Sequence, residues 1–218
     1  MMQTVRLPVV VLISGQGTNL QAMLDAAARG ELPVEFRAVV SDRASAPGLD
    51  RARRAGIAAE VVAPATGESR EHYDERLVET VERYAPRLVA LAGFMRVLGP
   101  AAVRTYEGRM LNIHPSLLPA YRGLHTHRRV LADGVREHGA SVHFVTEELD
   151  GGPVVVQARV PVLPGDDEQT LAARVREREH VIYPLAMRWF AEGRLVLRDG
   201  AAWLDGRRLQ APIQWRGQ

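Results

Sequence analysis

Residues 8–21 read PVVVLISGQGTNLQ, and the two halves of this stretch obey different rules. From Val9 to Ile13 the side chains are apolar without alternation and rich in β-branched valine, which reads as a strand buried on both faces. SGQGTN then forms a loop of small and polar residues, and helical periodicity runs over 20–29 until Gly30 stops it. The same grammar repeats downstream, with strands expected over 36–40, 59–62 and 88–92 and helices over 49–54 and 70–84. Strictly alternating strands and helices imply an α/β fold built on a parallel, doubly wound sheet.

After Gly93 the pattern loosens. A helix is expected near 101–106, then a strand ending at His114, because Pro115 cannot donate to a sheet ladder. A short helix over 128–132 follows. Strands over 140–145 and 154–162 flank the turn ELDGGP and read as an antiparallel addition. Residues 170–191 carry the longest helical pattern, and a hairpin is expected about Asp199 and Gly200. No repeat or long linker divides the chain, so residues 1–218 read as one domain.

Composition narrows the chemistry. With 46% hydrophobic and 25% charged residues among 218, this is an ordinary globular balance. The longest apolar run, PVVVLI, is too short to span a bilayer, and the N-terminus MMQTVRLPVVV lacks the features of a signal peptide. A cytoplasmic protein with no membrane partner is expected. Cysteine is absent and all 28 basic residues are arginine, which excludes disulfides, thiol nucleophiles, Schiff bases and a Walker A lysine. The net charge is only +2, and the arginines are interleaved with acids, as in RVREREH, so no nucleic-acid partner is expected.

Three motifs carry chemistry. In the first loop, Gly15 and Gly17 let the backbone approach an anion at a helix start, and Thr18 and Asn19 add donors. A dinucleotide fingerprint needs a third glycine where Leu20 stands, so a single phosphate is the better ligand. The plain alternative is a tight turn with Asn19 as the helix cap. In LNIHPSLLP, Asn112 and His114 share one face of a strand at its carboxyl end, where open α/β sheets place ligands; a structural histidine is the alternative. In TEELDGGP, Asp150 can raise the pKa of a nearby imidazole so that it donates a proton near neutral pH, and Gly151 and Gly152 would let a ligand approach closely. Asn, His and Asp together suggest acyl transfer without an enzyme nucleophile, the acyl group passing directly to a second substrate.

Other candidates are weaker. His125 and His127 lack further ligands at metal spacing, so no metal is expected. His143 lies on the strand face of Ser141 and Val145, either near the site or packed in the core. GFMRVL follows a strand end and could wall a flat heteroaromatic ring.

SGQGTNLQ, LAGFMRVL, LNIHPSLLP, GASVHFVTEELDGGPVVVQ and EHVIYP, in this order over residues 9–203, closely resemble the phosphoribosylglycinamide formyltransferase family, folate-dependent enzymes of purine synthesis. The resemblance implies a Rossmann-like formyltransferase fold with an antiparallel C-terminal addition. Its phosphate-binding half would span about residues 1–106 and its catalytic and folate half about 107–218. It implies that Asn112, His114 and Asp150 are catalytic. It further implies that Gly17, Thr18, Asn19 and Glu179 hold glycinamide ribonucleotide, and that Arg70, Met95, Arg96, Val97, Leu98 and Asn112 hold 10-formyltetrahydrofolate, a co-substrate, with no metal. The implied partners are small molecules, and a homodimer is compatible with it. Arg122 and Arg43 depart from the family pattern in loops. The competing readings are a hydrolase releasing formate from the same folate, a formyltransferase acting on aminoacyl-tRNA, and a nucleotide-binding regulatory module.

Overall fold

A computed structural model describes residues 6–217. The sequence reading of residues 1–5 as part of an N-terminus without a signal peptide lies outside the described residues. The first half alternates β1 (Leu7–Ile13), α1 (Thr18–Ala28), β2 (Val34–Ser41), α2 (Gly48–Arg54), β3 (Ala58–Val61), α3 (Arg70–Glu82) and β4 (Leu88–Leu91). The second half continues with α4 (Pro100–Thr105), β5 (Met110–His114), α5 (Thr126–Ala132), β6 (Glu137–Phe144), β7 (Val154–Pro161) and α6 (Glu168–Ala191). Four short strands follow, β8 (Leu195–Arg198), β9 (Ala201–Leu204), β10 (Arg207–Arg208) and β11 (Ile213–Trp215).

The main sheet has the order β11-β7-β6-β5-β4-β1-β2-β3, and β8, β9 and β10 form a separate small sheet. Strands β1 to β5 pair with one another in parallel, while β6 is antiparallel to both β5 and β7. This is the mostly parallel Rossmann-like sheet with an antiparallel addition. The strand order reverses between β1 and β4, so the loops leaving those two strands lie side by side at the switch point, where ligand crevices form.

Burial explains the elements. The unbroken apolar run of β1 is needed because Val9, Val11 and Ile13 enter one core cluster while Val10 and Leu12 enter the other, on the opposite face. Helix α6 begins at a reciprocal cap between Asp167 and Thr170. It packs with Leu171, Val175, Ile182 and Ala186 buried, at the spacing of one helical stripe. Glu179 falls on that same buried stripe. Tyr183 is fully buried, and its hydroxyl reaches the carbonyl oxygens of Leu91 at 2.9 Å and Leu111 at 3.0 Å.

Candidate active site

The site forms where the chain leaves β1, β4, β5 and β6. Gly17 precedes α1 with φ 67°, and no side chain caps the helix. The sequence alternative of Asn19 as a cap is therefore overturned, because Asn19 sits inside the first turn with its side chain turned to α6. Its Nδ2 donates to Glu179 Oε2 at 2.8 Å, and its Oδ1 is buried without a partner. Burial pushes the Glu179 carboxyl up, against the Asn19 hydrogen bond and the Arg176 charge. A Cβ on Gly17 would stand 2.7 Å from the Gly48 backbone. This glycine is thus required by packing against α2 as well as by its left-handed φ.

Residues 93–99 pass beside this loop. The Ser14 N–H donates to Gly93 O at 3.1 Å and the Met95 N–H to Ser14 Oγ at 2.8 Å. At the other end, the Gly99 N–H donates to Asp74 Oδ2 at 2.6 Å. Met95 and Val97 expose 55% and 49% of their surface, whereas Leu98 is buried in the core beside Val10, Leu12 and Tyr73. The expectation of one apolar wall through Leu98 is thereby corrected, since Leu98 supports the segment from beneath. The Arg96 guanidinium lies 4.2 Å from the Tyr73 ring centroid, and Arg70 is exposed at the start of α3.

Asn112 and His114 share a face of β5, opposite His143 and Ser141 of β6. Asp150, with φ 50°, turns its carboxylate back toward both histidines. Its Oδ2 lies 3.4 Å from His114 Nδ1 and its Oδ1 3.7 Å from His143 Nε2. The Gly123 N–H donates to the same carboxylate at 2.9 Å. Burial opposes the Asp150 charge, yet the adjoining His143 and His114 rings and the Gly123 amide hold its pKa down at about 2. His143, left open by the sequence, does reach the site. Its Nδ1–H donates to Phe144 O at 2.8 Å, which leaves Nε2 to accept from Asn112 Nδ2 at 3.1 Å.

Two sequence expectations change here. Burial lowers the His114 pKa below the ordinary value, outweighing the Tyr121 carbonyl and the Asp150 charge that raise it. The imidazole is desolvated on all sides, and one carboxylate does not repay that cost. Both ring nitrogens are also engaged, Nε2–H donating to Tyr121 O at 2.9 Å while Nδ1 faces Asp150. Gly151 and Gly152 serve the turn itself. A Cβ on Gly152 would overlap the Phe144 carbonyl oxygen, and one on Gly151 the Glu148 carboxylate.

The loop between β5 and α5 is tied down by residues that the sequence did not flag. Ser141 Oγ donates to Ser116 O at 2.6 Å and accepts the Leu118 N–H at 3.1 Å. Gln157 Nε2 donates to Leu118 O at 2.7 Å, and Ser116 Oγ donates to Ala120 O at 2.6 Å. The polar residues Ser141 and Gln157, set among the apolar neighbours Ala140, Val142, Val156 and Ala158, were the available signal. His127 Nδ1 lies 3.0 Å from His138 Nε2 rather than at a metal-like cluster with His125.

A helix-start loop and an Asn, His and Asp group, on neighbouring strands at a sheet switch point, make the layout of an enzyme site. The family model described as formyl transferase matches residues 7–187. The phosphoribosylglycinamide formyltransferase of Escherichia coli is 58% identical over 92% of this chain and 95% of its own. The solved phosphoribosylglycinamide formyltransferase of Coxiella burnetii, in complex with CHES, superposes with a TM-score of 0.92 at 50% identity, covering 97% of this chain and all of that one. A formyltetrahydrofolate deformylase from Burkholderia mallei is more distant, with a TM-score of 0.83 at 27% identity over 92% of this chain and 70% of that one. The chain belongs to the formyl transferase family and, within it, to the phosphoribosylglycinamide formyltransferases.

Proposed function

We propose that the chain transfers formyl from 10-formyltetrahydrofolate to the primary amine of glycinamide ribonucleotide, by direct attack and without a covalent enzyme intermediate. The observation that carries the reading is the juxtaposition of Asn112, His114 and Asp150 at the carboxyl end of β5, in line with β4 and β1, which lead into the two ligand-type loops. The uncapped first turn of α1 offers Gly17, Thr18 and Asn19 to the phosphate. Glu179 and the unpartnered Asn19 Oδ1 are suited to amide donors of the glycinamide. Met95, Arg96 and Val97, carried over Leu98, offer main-chain groups and apolar surface to the pterin, with Arg70 at the rim.

As the amine attacks the formyl carbon, charge grows on the formyl oxygen. Asn112 has one amide hydrogen left after its bond to His143 and can donate it there. His114 can donate Nε2–H to that oxygen in exchange for the Tyr121 carbonyl. Nδ1, facing Asp150, is where a proton gains a charge-assisted bond, so Asp150 favours the imidazolium that steadies this charge; as the carbon–N10 bond then breaks, the proton shed by the amine passes through water to N10 and tetrahydrofolate leaves. Direct attack is supported by the absence of cysteine and lysine. It is supported too by Ser116 and Ser141, whose hydroxyl protons are committed to carbonyls rather than to a base.

The test is an assay of purified protein with both substrates, following loss of the formyl-folate and gain of formyl on the amine. Equal losses of formyl-folate with and without glycinamide ribonucleotide, with formate released, would replace this reading by hydrolysis.

A further inference from the structure

Ser14 directly follows β1 and opens the phosphate-type loop, and it is 3% exposed. It makes two hydrogen bonds to the segment leaving β4, one on each side of Phe94. Its N–H donates to Gly93 O at 3.1 Å, and its Oγ accepts the Met95 N–H at 2.8 Å. Gly93 itself has φ 76°, so the chain turns sharply there and carries Met95 to the serine hydroxyl. No strand ladder reaches this point, because β1 and β4 pair only as far as Leu12 and Leu91. A hydroxyl thus replaces the backbone acceptor that pairing would have supplied.

The far ends of both loops are also fixed. Arg51 Nε donates to Gln16 O at 2.8 Å, and the Gly48 N–H donates to Gly15 O at 3.0 Å. Asp74 holds Gly99 as described. With each loop pinned to its own helix, Ser14 is the shared joint, and ordering one loop must limit the motion of the other.

We propose that Ser14 is a positioning residue that couples the two substrate sites, so that ribonucleotide bound at the first loop tightens folate at the 93–99 segment. The proposal rests on the substrate assignment above. Coupling of this kind is reciprocal, and ligands that share an ordered joint favour each other's binding.

Calorimetric titration with tetrahydrofolate, which has no formyl group to transfer, reads the coupling directly. In the unaltered protein, saturating glycinamide ribonucleotide should tighten tetrahydrofolate by about 5-fold or more. In Ser14→Ala the ratio should fall below about 2-fold while each ligand still binds alone. A ratio near one in the unaltered protein, or an unchanged ratio in Ser14→Ala, overturns the coupling and leaves the substrate assignment standing. Failure of the unaltered protein to bind either ligand overturns both. Should Ser14→Ala not fold, hydrogen exchange on the unaltered protein decides the matter. Ribonucleotide alone should slow exchange of the Met95 amide by about 5-fold or more, and unchanged exchange would sink the proposal.

Discussion

Asn19 and Glu179 stand 160 positions apart in sequence and 2.8 Å apart in space, buried together where the first turn of α1 meets the middle of α6. A carboxylate on an apolar helix stripe is costly unless its partner is fixed, so the pair locks the orientation of the Asn19 amide. Glu179→Ala leaves that amide without any partner, whereas Glu179→Gln keeps an acceptor. Affinity for glycinamide ribonucleotide should fall by about tenfold or more in the alanine variant and less in the glutamine variant. Tetrahydrofolate affinity should change little in both. Calorimetry with each ligand checks this, and equal losses for the two ligands would contradict the assignment.

His114→Ala and Asp150→Asn should each lower kcat by at least ~100-fold with the fold retained, since each removes transition-state stabilisation. The Asp150 charge favours the imidazolium, and its loss lowers the His114 pKa further. Activity that needs a proton on His114 is lost as pH rises through that pKa. The alkaline limb of the rate profile should therefore move to lower pH in Asp150→Asn, and an unmoved limb would refute the pairing.

Gly17→Val meets both a left-handed backbone and the Gly48 main chain. Its KM for ribonucleotide should rise by about tenfold or more while the KM for the folate changes far less, because distortion stays in the α1 loop. Steady-state kinetics with each substrate varied distinguish this from general collapse, which would raise both.

Val97 and Leu98 should separate binding from stability. Val97→Ser removes exposed apolar surface and should weaken tetrahydrofolate by about 1 kcal/mol with the melting temperature nearly unchanged. Leu98→Ala empties a core position and should cost about 2 to 5 kcal/mol of stability by denaturant titration. Its loss of folate affinity would follow from that loosening. Arg70→Ala, exposed at a helix start, should matter by less than about 1 kcal/mol.

Acid should weaken the fold through buried histidines. Burial, with the charges of His127 and His114, pushes His138 down to about 4, and its ring is also edge-on to Tyr121. A histidine held below its unfolded pKa contributes stability above about pH 6.5, and that contribution is lost as pH falls toward 4. The urea midpoint should drop between pH 7 and pH 5, and His138→Gln should show a shallower drop. A midpoint flat over that range would argue against the burial account.

Much of this was written in the sequence, in identifiable places. The run from Val9 to Ile13 announced a two-faced strand because parallel strands need apolar residues at every position. Pro115 marked the end of β5, and the Asn112 and His114 spacing placed them on one face. What stayed hidden depends on neighbours distant in sequence. Asn19 has the chemistry of a cap but meets Glu179 instead, and the direction of the His114 pKa depends on burial that the sequence does not spell out. Gly151 and Gly152 looked like room for a ligand, yet they make room for the passage of the chain beside Phe144 and Glu148. The strands β10 and β11 carry too few residues for any period to register.

Strand β11, only three residues long, lies parallel to β7 at the margin of the eight-stranded sheet, with Arg178 5.3 Å from the Trp215 ring. Without it, the eight-residue β7 would offer unpaired main-chain groups along a valine-rich edge, the template on which one chain recruits another into an aggregate. This short strand thus acts as a hem on the sheet, too short to be copied itself and placed to keep the longer strand from being copied.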